Sequence, residues 1–234
     1  MGVDVPTFDY ILDSGFRTAW NSRTIPREDV NPRGLTRLGR RSLNAKGALG
    51  LLLHFLSGTM NKTSLQEMFA LVPSVLSRYI EFAIGILSAV LKQIREARIT
   101  WPSVAKMAEY SEMIKKRHPM IEGAFGFIDG LSLPVGTSLD PKIKQATYNG
   151  WLHAHQITNV IVFAPDGCII GARINAPGSW HDLRTASHIY KKLKDCPNGH
   201  FLIADTAFPH TRANIRGKIK TPMKHWTQLG NDPA

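Results

Sequence analysis

The chain has 234 residues, 43% hydrophobic and 20% charged, which is enough apolar material for one domain of average size and a smaller one. Its net charge is +11 and is spread over both parts, so either part can face a polyanion. The only cysteines, Cys168 and Cys196, fit neither a disulfide framework nor a zinc site of CxxC spacing, and read as buried free thiols of a reducing compartment. The longest apolar stretch, Ala48 to Met60, contains His54 and falls short of the roughly 20 residues of a membrane span, so no membrane is expected. Acids near the N-terminus argue against an export signal.

Phe8, Ile11, Leu12, Phe16 and Trp20 recur at helical spacing, interrupted by Gly15. A basic loop follows from Arg27 to Lys46, holding Arg33, Arg37, Arg40 and Arg41; it reads equally as a solvated linker or a phosphate-contacting arm. Ser42 is positioned to cap a core helix over Ala45 to Ser57. A short helix from Thr63, a break at Val72-Pro73-Ser74 and a longer helix over Val75 to Ile94 give the outline of a helix-turn-helix, with Ser77 and Arg78 near the exposed start of its second helix. The same outline suits any helical hairpin. Ser103 to Lys116 reads as another helix, and the Pro119 to Gly123 break sets the expected boundary between a helical region, 1–119, and a second domain, 120–234.

Beyond that break the period changes. Ala124 to Ile128 and Gln156 to Ala164 read as buried strands, and Pro165-Asp166-Gly167 turns the second of them into a third, Cys168 to Ile174. A helix over Asp182 to Leu193, a strand over His200 to Ala204 and a last one near Gly217 to Met223 complete an α/β fold with a mixed sheet. Three acids stand where apolar runs end: Asp129 in FGFIDG, Asp182 in GSWHD and Asp205 in FLIADTAFP. If the first and fourth strands are parallel neighbours, Asp129 and Asp205 end at one sheet edge, and Asp182 can approach from the next. Converging carboxylates repel unless a cation neutralises them, and oxygen-only ligands suit Mg²⁺ or Mn²⁺. Taken singly, each aspartate is equally a cap or a turn former.

Other groupings compete. His153 and His155 would share a strand face and, with Asp129 or His181, offer a zinc site. Ser179, His181 and Asp205 have the residue types of a hydrolase triad but lack a GxSxG elbow. Tyr148-Asn149-Gly150-Trp151 reads as a packed turn before a strand, with base stacking as the alternative.

Together FGFIDG, YNGWLHAH, NVIVFAPDGCII, NAPGSWHD and LIADTAFP, in this order, resemble the DDE superfamily endonuclease domain of PIF/Harbinger transposases and their domesticated relatives, in particular copies common in fungal genomes. The resemblance covers about residues 120–222, and the helical region before it also looks like the N-terminal part of such proteins. It implies an RNase H-like fold, a nuclear location, a divalent metal (Mg²⁺ or Mn²⁺) and cleavage and joining of double-stranded DNA. Its acids carry over onto Asp129, Asp182 and Asp205, as catalytic residues and metal ligands. The resemblance implies a closing glutamate on a helix roughly 35 residues past Asp205, beyond Ala234, and no acid occurs between Thr206 and Asn231 to stand in for it. The chain therefore looks C-terminally truncated, with catalysis expected to be impaired, and a non-catalytic DNA-binding protein is the alternative. Arg37, Arg40, Arg41, Ser77, Arg78, Arg212, Arg216 and Lys218 are the expected DNA contacts. A homodimer and a separate DNA-binding partner protein are further expectations of the resemblance.

Overall fold

The computed structural model describes residues 2–27, 36–180, 182–206, 208 and 215–222, with the backbone alone at 182 and 183. The chain divides into two compact units, Met1–Arg98 and Ile99–Ala234.

In the first unit, Asp4 accepts from the Thr7 N–H at 3.0 Å and starts α1 (Val5–Ile11). Gly15, at φ 119° and non-helical, kinks the chain within Leu12–Phe16, between α1 and α2 (Arg17–Ser22), so the interruption expected there is present. Phe8, Leu12, Phe16 and Trp20 thereby reach one core. Asn44, not Ser42, caps α3 (Ala45–Ser57): its Oδ1 accepts from the Gly47 N–H at 2.8 Å, while the Ser42 N–H donates to the Tyr79 hydroxyl. Asn61 caps α4 (Lys62–Phe69), Ala70 ends it in left-handed backbone, and Pro73 opens α5 (Pro73–Leu91). By length and composition α5 is apolar enough to cross a membrane, a feature that Arg78 and Glu81 hide from a search for unbroken apolar runs. Its Leu76, Tyr79, Ile80, Ala83, Ile86, Leu87 and Val90 are nevertheless buried in the core of this unit, as in an ordinary core helix.

The division at Arg98 lies before the expected break at 119/120 because α6 (Val104–Arg117), capped by Ser103, packs on the sheet of the second unit. Met107 and Tyr110 of α6 enter the sheet's core, and Trp101 meets Phe125 edge to face at 5.8 Å. That sheet is mixed, as expected. β1 (Ala124–Pro134) pairs antiparallel with β3 (Ala154–Phe163), and β3 pairs antiparallel with β4 (Ile169–Pro177) across the Pro165-Asp166-Gly167 turn. On the other side of β1 lie β5 (Phe201–Ala204) and then β6 (Ile219–Lys220), both parallel. A two-residue strand, β2 (Tyr148–Asn149), pairs with the start of β3 after α7 (Pro141–Thr147). The helix expected over Asp182 to Leu193 is two, α8 (Asp182–Thr185) and α9 (Ser187–Lys194), separated at buried Ala186.

Side chains alternate between the two faces of the sheet. One face carries Ile128, Val160, Val162, Ile170, Leu202 and Ile219 and is buried with Ile189, Tyr190 and Leu193 of α9. The opposite face is covered only where β1 and β5 begin, where Ala124 and Phe201 are buried with Ile114 of α6, and is open farther along: Phe127 is 38% exposed, where its neighbour Ile128 is 2% exposed. Asp166 ties the β3–β4 turn to α6 by accepting from the Cys168 N–H at 2.9 Å and from the Tyr110 hydroxyl. Of the cysteines only Cys196 is buried; Cys168 is exposed, because it follows this turn at the start of β4.

Candidate active site

Asp129 and Asp205 are brought together by register. β1 and β5 run parallel with Phe127 opposite Ile203 and Ile128 opposite Ala204, so each aspartate is the next residue after the last pair. Neighbouring strands lie roughly 5 Å apart, which puts two carboxylate-bearing positions side by side at one end of the pair. Both residues are exposed, as partly solvated acids at a sheet edge should be. The expectation that Asp129 closes its strand is corrected. β1 runs on to Pro134, pairing Asp129 with Ile161 of β3 and Leu131 with Asn159. What ends at Asp129 is the pairing with β5, not β1 itself. Its Oδ1 accepts from the Gly130 N–H at 2.7 Å, and Asp205 contributes its carbonyl to the Phe208 N–H at 3.4 Å.

Asp182 begins α8, and its side chain lies outside the described residues, as does all of His181. The loop before it is closely fixed. A Cβ on Gly178 would stand 2.3 Å from the Gln156 carbonyl oxygen and 2.6 Å from that of Thr147, so only glycine allows this approach. The Asn149 side-chain amide donates to the Gly178 carbonyl at 2.7 Å, the Trp180 N–H donates to Pro177 O at 2.9 Å, and the Arg184 guanidinium lies 3.9 Å over the Trp180 ring. Sequence reading missed Asn149 as an anchor. Its signal is an asparagine before a Gly-containing turn, where Oδ1 accepts from both the Trp151 and Leu152 N–H groups at 3.0 Å.

Among the described residues no three His, Cys, Asp or Glu side chains gather as a metal cluster. The zinc grouping fails on backbone geometry: His153 sits in a turn at φ 51°, outside β3, so it does not share a strand face with His155. His153 Nδ1 pairs with the Tyr148 hydroxyl at 3.3 Å and His155 Nδ1 with Thr147 Oγ1 at 3.0 Å. The turn expected to be packed presents Trp151 at 90% exposure, because its hydrogen bonds are satisfied within the turn and leave the ring outside.

The expected DNA contacts sort into two groups. Arg37, Arg40, Ser77 and Arg216 are exposed, and Arg212 lies outside the described residues. Arg41 is turned inward. It donates to the Trp20 and Arg23 carbonyls at the end of α2 and stacks on the Trp20 ring, 5.1 Å from its centroid, and burial pulls its pKa below the usual guanidinium value. Arg78 folds back on its own helix, with Nε donating to Ser74 O at 2.9 Å. The Lys218 ammonium fastens the turn after α9, donating to the Cys196 and Pro197 carbonyls at 2.6 and 2.9 Å.

Residues 128–233 match the family model described as DDE superfamily endonuclease. The match begins at Ile128 and takes in Asp129, Asp182 and Asp205. No curated protein and no solved structure matches the chain.

Proposed function

We propose that the second unit is a transposase-type DNA endonuclease of the PIF/Harbinger kind, acting in the nucleus on double-stranded DNA through Asp129, Asp182 and Asp205. The observation that carries the reading is the parallel β1–β5 register, which sets two acids of the matched segment side by side. The donor set fits a divalent cation. Two adjacent exposed carboxylates repel one another until a positive charge lies between them, and oxygen donors alone suit Mg²⁺ or Mn²⁺. Such an ion, when bound, supplies Lewis-acid polarisation of the phosphodiester and a more acidic water. The chain's own residues orient it: the Gly130 N–H fixes one oxygen of Asp129, leaving the other free to turn outward, and Asp205 is held by the turn at Phe208.

Cleavage by these three residues alone is slow in this proposal, because three aspartates supply only one side of a two-ion site. Arg37, Arg40 and Arg216 supply phosphate contacts, and the α4–α5 hairpin with Ser77 adds a second surface on the first unit. Plasmid nicking tests the reading: slow Mg²⁺- or Mn²⁺-dependent nicking should vanish in Asp129→Asn and Asp205→Asn. Nicking that survives both substitutions sinks it. Salt-dependent DNA binding with no nicking under any metal would leave the non-catalytic DNA-binding protein.

A further inference from the structure

Asn159 is 4% exposed within an apolar strand, where a side-chain amide is costly unless both of its ends are bonded. Both are. Its Nδ2 donates to the Leu131 carbonyl at 3.0 Å, two residues past Asp129 on β1. Its Oδ1 accepts from the Asn175 N–H at 3.0 Å on β4. The pairing of β3 with β4 passes from Thr158–Ala176 to Val160–Arg173, so Ile174 and Asn175 together stand opposite Asn159 as a bulge, with Asn175 at φ 58°. From that bulge the chain passes through Pro177 to the Gly178 close approach and reaches Asp182. One side chain therefore bonds the strand that bears Asp129 and the bulge that aims the chain at Asp182.

We propose that Asn159 is a positioning residue of the metal site, fixing the Asp129 strand and the Asp182 segment relative to one another. The role rests on the endonuclease reading above. Leucine at 159 has the same branched outline but leaves the Leu131 carbonyl and the Asn175 N–H without this partner, so the bulge is free to shift and the two acids with it. Asn175 is exposed, and a β-branched residue there resists the left-handed backbone that the bulge needs. Asn175→Gly keeps both that conformation and the N–H.

The test is Mn²⁺ titration of the whole chain, followed by calorimetry, beside thermal unfolding and metal-free DNA binding. Asn159→Leu and Asn175→Ile should each bind Mn²⁺ about tenfold more weakly with DNA affinity held within about twofold, as expected for a residue acting behind the ligands, and Asn175→Gly should match the unsubstituted chain. A purely structural asparagine would lower the melting temperature without moving the metal affinity of the folded protein. Equal Mn²⁺ affinity in folded Asn159→Leu overturns the positioning role and leaves the endonuclease reading intact. If Asn159→Leu does not fold, Asn175→Ile decides alone, because its site is on the surface. No Mn²⁺ uptake by the unsubstituted chain overturns both the metal site and this role.

Discussion

The two faces of the second unit's sheet are built from the same strands, yet adjacent residues live under different physics. Even-numbered Ile128, Val160, Val162 and Leu202 are sealed under α9, whereas Phe127, Phe163 and Ile169 on the other side keep 36–38% of their surface in water. Asp129 and Asp205 belong with the open side, two residues on from Phe127 and Ile203. Burial thus takes in one face and, on the other, only the start of β1 and β5 under Ile114, while the acids stand at the open end, so carboxylates that repel one another do not have to be buried in the core. A site can be changed there without disturbing the packing.

The sharpest way to break this division is through the acids. Asp129→Asn and Asp205→Asn should each lower metal-dependent nicking by about 100-fold or more while leaving the melting temperature nearly unchanged. A large loss of melting temperature in either would show that the acid edge is part of the core after all. Next comes the pair of neighbours on β1. Ile128→Ala should cost about 3 kcal/mol in denaturant unfolding, and Phe127→Ala about 1 kcal/mol, despite removing more atoms. Equal costs would mean that the open face is covered in solution.

Smaller effects sharpen the contrast. Phe163→Lys and Leu131→Lys place charge on the exposed apolar side and should suppress concentration-dependent self-association in sedimentation experiments without lowering stability. On the sealed side, burial, aided by the bond to Asp166, pushes the Tyr110 hydroxyl up to about 12 from 10.0. A raised pKa means the stability it carries is whole below about pH 10 and falls as pH rises toward about 12. Tyr110→Phe should flatten that alkaline slope, which pH-dependent denaturant unfolding would show.

Much of this was legible in the sequence because it rests on local signals. Pro165-Asp166-Gly167 announces its hairpin, and the apolar run before Asp205 announces a strand. Ser103 announces the start of α6. Long-range partners left no such mark. The first strand reads as ending at Ile128, yet β3 supplies enough pairing to carry β1 on through Gly130 to Pro134. Arg41 is indistinguishable in a basic run from Arg37 and Arg40; only the carbonyls at the end of α2 set it apart. Asn159 looks like an accident in ITNVIVF, since its partners are 28 and 16 residues away.

The overrun of β1 past β5 carries a liability of its own. From Asp129 to Pro134, among the described residues, β1 has a ladder neighbour in β3 alone, and its other margin is an open row of peptide groups that another chain could extend as a further strand. A charge at one end of that margin and a residue lacking an N–H at the other discourage such docking. Asp129 is then a sentry as well as a ligand of the proposed metal site. Neutralising it removes the guard together with the chemistry, so Asp129→Asn should form fibrillar or amorphous aggregate faster than Asp205→Asn at equal folding stability, although both silence the same site.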